Sequence, residues 1–246
     1  MPPTESQRLL QQQRPDGMRV MSQRWSELGF FHWAFDPEAI AARLPKGLHV
    51  DTYDGKAWLG IVPFLMQRVR PAFLPPIPWL SWFHELNLRT YVFDDNGNPG
   101  VWFFSLDCDQ PIAVEIARNL FSLPYQHAQM SSSMTSAEFQ FHSQRKGDSN
   151  SAETFRYNRP QFPKATEFGS LEWFLLERYT LFSEGSNGHL YSGRVHHSPY
   201  QIEILNEATC PTRLFPLNGF SQPATPAISM ISAAPVDVSI FPLKRL

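Results

Sequence analysis

Lysine is scarce in this chain of 246 residues: Lys46, Lys56, Lys146, Lys164 and Lys244 are all there are. Charge of either sign is thin, 18% against about 25% in an ordinary globular chain. The formal net charge is −2, so there is no basic footprint for nucleic acid or an anionic membrane. Cys108 and Cys210 are the two cysteines. They exclude a disulfide framework and read as two thiols in a reducing compartment. No run of 18 apolar residues occurs, which excludes a spanning helix. The polar segment from Met1 to Arg24 has no apolar stretch of the kind a secretory signal needs. It reads as a loosely held arm ahead of one domain covering residues 25–246, and the expected location is the cytoplasm.

Chemical signatures are missing too. There is no phosphate-binding loop, no dinucleotide fingerprint and no Gly-x-Ser-x-Gly elbow. His32, His84, His127, His142, His189, His196 and His197 include no HxxxH, HExxH or His-plus-Cys spacing. His196 and His197, as strand neighbours, point to opposite faces. No metal and no cofactor is expected.

What the chain has in quantity is aromatic side chains, 14%, and 22 prolines. Rings to bury and many turns predict a mainly β (α+β) domain of short antiparallel strands with a few short outer helices. Asp36 to Pro45 reads as a short helix, with Asp36 as cap and Pro37 at the first helical position. Lys56 to Met66 reads as a strand, and the four prolines between Pro71 and Leu80 mark an apolar loop. Such a loop is packed down, or forms a lid or the glue of a homo-oligomer.

Glu85 to Phe93 is the clearest strand, with Leu86, Leu88, Thr90 and Val92 on one face and Glu85, Asn87, Arg89 and Tyr91 on the other. Asp94-Asp95-Asn96-Gly97 is a hairpin signal, and Val101 to Leu106 is the returning arm. A helix then starts at Asp109 and runs from Pro111 to about Phe121. Gln129 to Ser136 reads as a connection. Phe139 to His142 and Thr154 to Tyr157 are two strands around a polar turn, Gln144 to Ser151. Ser170 to Tyr179 reads as a third helix. Gly188 to His197, Gln201 to Leu205 and Val236 to Phe241 read as later strands.

Several segments, taken together and in order, resemble the uncharacterised bacterial YqjF-like proteins. They include Trp25-Ser26-Glu27-Leu28-Gly29-Phe30-Phe31-His32-Trp33, Asp54-Gly55-Lys56-Ala57-Trp58-Leu59-Gly60 and Phe83-His84-Glu85-Leu86-Asn87-Leu88-Arg89. Trp173-Phe174-Leu175-Leu176-Glu177-Arg178-Tyr179 and Val195-His196-His197-Ser198-Pro199-Tyr200 continue the match. One departure is Ala233-Ala234-Pro235, where the family pattern has a Ser-Pro-Gly-like turn. The resemblance implies a fold similar to acetoacetate decarboxylase, an antiparallel barrel with a central cavity, and it implies Glu85 as an acidic cavity residue. It aligns Tyr125 and Gln126 with the lysine pair of those decarboxylases, one member of which forms a Schiff base. With no lysine there, a Schiff base is not expected.

The residues themselves allow a functional and a bland reading. Arg89, with Asn87, Tyr91 and Trp82, would bind a small carboxylate or oxo compound through its planar fork. Glu85, Tyr125 and His127 would move protons. Equally, the Glu85–Tyr91 row would be a solvated face carrying a Glu85–Arg89 ion pair. Glu177 and Arg178, adjacent on a helix, would turn at most one side chain to a pocket and would otherwise serve capping and surface pairing. Phe30, Phe31, Trp33, Trp79, Trp82 and Phe83 would be core, pocket wall or subunit interface. The expected function is a small-molecule-binding, lyase-like protein. A non-catalytic binding or stress-associated protein and a structural oligomer subunit stand as alternatives.

Overall fold

The computed structural model describes residues 1–148, 150 and 152–246. The turn read between Gln144 and Ser151 includes Ser149 and Ser151, which lie outside the described residues. The chain begins with α1 (Glu5–Leu10), β1 (Met21–Ser26), β2 (Leu28–Phe35), α2 (Pro37–Ala41), β3 (Leu48–Val50) and β4 (Ala57–Pro71). There follow β5 (Phe83–Asp94), β6 (Pro99–Cys108), α3 (Pro111–Phe121), β7 (Tyr125–Met134), β8 (Glu138–Arg145) and β9 (Glu153–Asn158). The last third holds β10 (Lys164–Ala165), α4 (Leu171–Leu176), β11 (Thr180–Glu184), β12 (Leu190–His196), β13 (Gln201–Ile204), α5 (Leu214–Leu217), β14 (Ser229–Ala233) and β15 (Val236–Arg245). The fold is mainly β. No helix among the described residues is long and apolar enough to cross a membrane.

Local chemistry explains the helix boundaries. The Asp36 side chain accepts from the Glu38 amide, with Pro37 behind it, and so starts α2. Gln110, not Asp109, caps α3, because Asp109 is taken up by His84, accepting from its amide and bonding its Nδ1. Ser122 ends α3 in the left-handed region at φ 52°, and Pro124 prevents resumption.

Strand pairing is continuous through one sheet. β5 pairs with β4 on one side and β6 on the other. From β4 the pairing passes to β1, β15, β12, β11 and back to β6, so these strands with β5 form a closed circuit of neighbours. The parallel β6–β11 contact closes it through Leu181↔Val101 and Phe182↔Trp102. Gly100 allows this approach: a Cβ there would lie 2.5 Å from the Thr180 carbonyl oxygen.

β5 is buried on both faces, which is why it alternates polar and apolar without being a surface strand. Leu86 and Leu88 join an outer core with Phe31, Trp33, Leu59 and Ile61, closed over by Phe139, Phe141, Phe155 and Tyr157 of β8 and β9 and by Phe215 of α5. The opposite face of β5 looks into the circuit. A bulge in β6, between the pairs Leu88↔Ser105 and Arg89↔Phe103, makes Phe104 the extra residue. It stacks edge-on to Phe220 in the outer core, ring centroids 4.8 Å apart.

The start of the chain is not a loose arm. Thr4 and Gln7 form a reciprocal capping box that starts α1. Both Arg8 nitrogens then reach Asp51 at 2.6 Å, Gln11 accepts from Thr180 at 2.8 Å, and Gln7 donates to the Asn96 carbonyl. β1 is paired on both edges, so the sheet takes in residues before Trp25. Three further readings need correction. Residues 129–134, read with Thr135 and Ser136 as a connection from their Ser/Met content, belong to a strand, β7, whose residues from Ala128 to Met134 pair with β8. α4 stops at Leu176, so Glu177 and Arg178 lie beyond it. β14, which the sequence reading passed over, pairs with β2 and β13.

Candidate functional site

Inside the closed circuit is a cavity of about 580 Å³. Glu85, Asn87 and Arg89 of β5 line it, because alternate residues of a strand share a face. Facing them are Val62, Phe64 and Met66 of β4, Phe103 and Leu106 of β6, and Tyr125 at the start of β7. α3 covers one side with Ile116, Ala117, Leu120 and Phe121, and the loop after β4 adds Leu74, Ile77 and Leu80.

Two polar stations interrupt the apolar walls. At the first, the Tyr125 hydroxyl donates to Glu85 Oε2 at 2.6 Å. Burial raises the Glu85 carboxyl to a pKa of about 7, against the lowering effect of its bonds to Tyr125 and Asn87. Burial and the neighbouring Glu85 also push the Tyr125 phenol well above its ordinary value. The carboxyl is therefore poised to give or take a proton near neutrality, and the phenol stays protonated. Asn87 Oδ1 is buried and has no partner among the described residues.

At the second station, Arg89 Nη2 donates to the Leu175 carbonyl at 3.1 Å, and the guanidinium lies 5.3 Å from the Phe30 ring centre. It has no carboxylate partner among the described residues, although it is only 9% exposed. Arg178 lies nearby, donating from Nη1 to Asp51 at 2.7 Å and from Nε to the Phe174 carbonyl at 2.7 Å. Asp51 thus serves two arginines, Arg8 and Arg178. Burial raises its pKa, but the two cations outweigh this and hold it below the ordinary range. Three guanidinium groups, on Arg8, Arg178 and Arg89, stand against two carboxyls, Asp51 and Glu177. Glu177 accepts from the Tyr200 amide, and burial raises its pKa, which leaves this end of the cavity positive.

The sequence-predicted residues separate into two groups. Glu85, Asn87, Arg89 and Tyr125 come together in the cavity. The Glu85–Arg89 ion pair on a solvated face does not form, since both residues are buried and Glu85 bonds Tyr125 instead. Tyr91 is wholly buried behind Arg89, its hydroxyl 3.4 Å from Arg89 Nε and 2.8 Å from His32 Nε2. It orients the guanidinium and does not line the cavity. His127 lies two residues beyond Tyr125, where α3 intervenes, and meets Glu115 at 3.3 Å. Trp82 precedes β5 and is 42% exposed, outside the cavity, as is Trp79. Phe30 and Phe83 are cavity wall, whereas Phe31 and Trp33 belong to the outer core.

Asp51, Arg8 and Tyr200, the last of which lines the cavity, were not legible as site residues, and Arg178 was read only as one of two helix neighbours that could face a pocket. Asp51 and Arg178 are 127 positions apart, and no spacing marks such a pair. The one available signal was Arg178 itself, at a helix end wrongly extended to Tyr179. All five lysines are exposed, and none lines the cavity. No group of three or more His, Cys, Asp or Glu among the described residues is placed to hold a metal ion.

Residues 22–236 match DUF2071, a family described as an uncharacterised conserved protein. The uncharacterised protein YqjF of Bacillus subtilis (strain 168) is 36% identical over 231 residues, covering 94% of each chain. Among solved structures, the enduracididine biosynthesis enzyme MppR complexed with pyruvate superposes with a TM-score of 0.65 at 13% identity, over 93% of this chain and 91% of that one. An acetoacetate decarboxylase-like enzyme from Sphingomonas wittichii RW1 gives 0.61 at 15% identity, covering 94% of both. Acetoacetate decarboxylase from Legionella pneumophila gives 0.62 at 10%, over 95% and 91%. At such identities the likeness is one of fold.

Proposed function

The chain belongs to the DUF2071 family of uncharacterised conserved proteins, and from that premise we propose that it binds a small carboxylate or oxo compound in its central cavity. The closed strand circuit is read as a barrel with the cavity as its interior, on a fold shared with the acetoacetate-decarboxylase-like neighbours. The observation that carries the proposal is a buried guanidinium, Arg89, with no carboxylate partner, in one cavity with the Glu85–Tyr125 pair. A buried cation is costly unless paired, and a ligand carboxylate supplies the missing anion in fork geometry. A carbonyl farther along the same ligand, or an oxo compound without a carboxylate, then reaches the part of the cavity that Glu85 lines, where a carboxyl titrating near neutrality exchanges protons with it. Because no lysine lines the cavity, the chemistry supported is proton transfer without a Schiff base. The protein is read as cytoplasmic, with self-association through the apolar loop left to a mass measurement.

A second reading, a binding protein without turnover, is favoured by the predominance of apolar side chains around the two polar stations. A thermal-shift screen against carboxylates, keto acids and aldehydes, repeated on Arg89→Ala, tests the binding claim. Ligand at a hundred times its Kd adds about 2.7 kcal/mol, so hits raise Tm by several degrees and vanish in the variant. Deuterium exchange next to the carbonyl of a bound oxo compound, lost in Glu85→Gln, separates catalysis from storage. No exchange in either protein leaves the storage reading.

A further inference from the structure

The two ends of the cavity differ in chemistry. Along β5, the end near Tyr91 and Asp94 is covered by α1: Arg8 holds Asp51, whose amide donates to the Tyr91 carbonyl, and Gln7 holds the turn at Asn96. The guanidinium groups of Arg89 and Arg178 lie toward this closed end. Four residues along the strand, roughly 13 Å away, Glu85 marks the approach to the other end. That end is framed by α3 and the loop after β4, whose Leu74, Ile77, Ile116 and Leu120 are both cavity wall and more than a third exposed. Gln110 Nε2, at the start of α3, donates to the Trp79 carbonyl and ties loop to helix at this apolar mouth.

Size sharpens the contrast. About 580 Å³ lies in the range that takes a drug-sized ligand, and a three- or four-carbon acid bound at Arg89 would leave most of the apolar wall without contacts. Buried hydrogen-bonding capacity sits along the way, with Arg178 Nη2 and Asn87 Oδ1 both unpartnered among the described residues and both residues lining the cavity.

Resting on the carboxylate-binding reading above, we propose that the ligand is an amphipathic monoacid that enters head first. Its anionic head is held between Arg89 and Arg178 at the closed end, and its extended apolar body runs past Asn87 and Glu85 to the mouth between α3 and the loop after β4. A monoacid is chosen because a second carboxylate along the body would have to lie against Phe64, Met66 and Leu106; the other cation that lines the cavity, Arg70, is half-buried at the end of β4, beside the mouth loop. The apolar walls set the length.

Calorimetry of the full chain with straight-chain carboxylates of four, six, eight and ten carbons, below their micellar concentrations, tests this. The expected affinity rises about fourfold per methylene until the cavity is filled, following the area each methylene removes from water. Arg89→Met is expected to weaken every acid at least tenfold, while the matched alcohols change little. Leu120→Trp, which narrows the mouth from an already exposed position, is expected to weaken the ten-carbon acid and spare the four-carbon one. Affinity independent of chain length, with pyruvate binding as well as decanoate, overturns the amphipathic ligand and leaves the small-carboxylate reading standing. No binding of any acid by a folded protein overturns both.

Discussion

Tyr125 donates a 2.6 Å hydrogen bond to Glu85 from a strand that begins 40 positions later in the chain, with both side chains buried in the same cavity wall. β7 brings the phenol there by pairing in parallel with the end of β6, Leu106 opposite Tyr125, while Cys108 of β6 lies opposite Glu85 of β5. The short segment after α3 therefore does for the site what no local spacing could: it delivers a donor to a carboxyl that burial alone would hold protonated to still higher pH.

Glu85 makes stability depend on pH in a definite direction. Its folded pKa of about 7 stands above the ordinary value of 4.5, so the folded state holds the proton more tightly. The favourable contribution is complete below about pH 4.5 and is lost as pH rises through 7, amounting to roughly 3 kcal/mol. Glu85→Gln should remove that decline and leave the variant more stable than the parent at pH 8. Glu153, raised by burial to about 8, acts in the same direction, so the double variant with Glu153→Gln should be flatter still. Urea denaturation between pH 5 and 9 reads both. An equal slope in parent and variants would mean that neither carboxyl is held neutral.

Tyr125→Phe removes a donor that lowers the Glu85 pKa. The carboxyl should then titrate above 7, and the protein should lose about 1–2 kcal/mol. NMR of the glutamate carboxyl carbon, assigned by comparison with Glu85→Gln, measures the first, and the urea midpoint measures the second. A Glu85 midpoint that falls in the variant would contradict the bond's assigned sense.

Asp51→Asn leaves Arg8 and Arg178 without their shared anion. Arg178 is 8% exposed, and breaking a buried pair from one side costs about 3–5 kcal/mol. Arg8→Ala should cost less, since Arg8 lies nearer the surface and Arg178 keeps its partner. Because the Asp51 pKa is lowered, the contribution of the cluster is present above the ordinary carboxylate value and disappears as pH falls through the folded one. Thermal unfolding at pH 7 orders the two variants, and the reverse order would dissociate Asp51 from Arg178.

Gly100→Ala should separate β6 from β11, because the added methyl would meet backbone, the Thr180 carbonyl, at 2.5 Å. A loss of about 1–3 kcal/mol, with faster amide exchange at Val101, Trp102, Leu181 and Phe182, is expected. Unchanged exchange there would place the parallel contact outside the stable core.

Much of this fold was legible in the sequence where one side chain carried one instruction. Asp36-Pro37 started a helix, Asn96-Gly97 turned a hairpin, and the β5 alternation assigned Glu85, Asn87 and Arg89 to one face. What it could not tell was whether that face met water, because a strand buried on both sides by polar groups at one surface alternates like an exposed one. Glu177 and Arg178 were misplaced for a related reason. Leu171 to Leu176 is helical in pattern, and nothing in the next residues announces that the chain turns inward to meet Asp51. The scarcity of lysine was legible outright, since the sequence alone places all five of them.

The cap that α1 places over the positive end of the cavity has a consequence for the order of assembly. The partners of α1 and of the residue after it are spread far along the chain: Arg8 waits for Asp51, Gln7 for Asn96, and Gln11 for Thr180 and Arg194. Contacts this distant carry a high loop-closure entropy and form late. The end of the cavity beside Arg89 and Arg178 is thus covered late in folding, when segments as distant as Thr180 and Arg194 are in place to hold α1 and the residue after it.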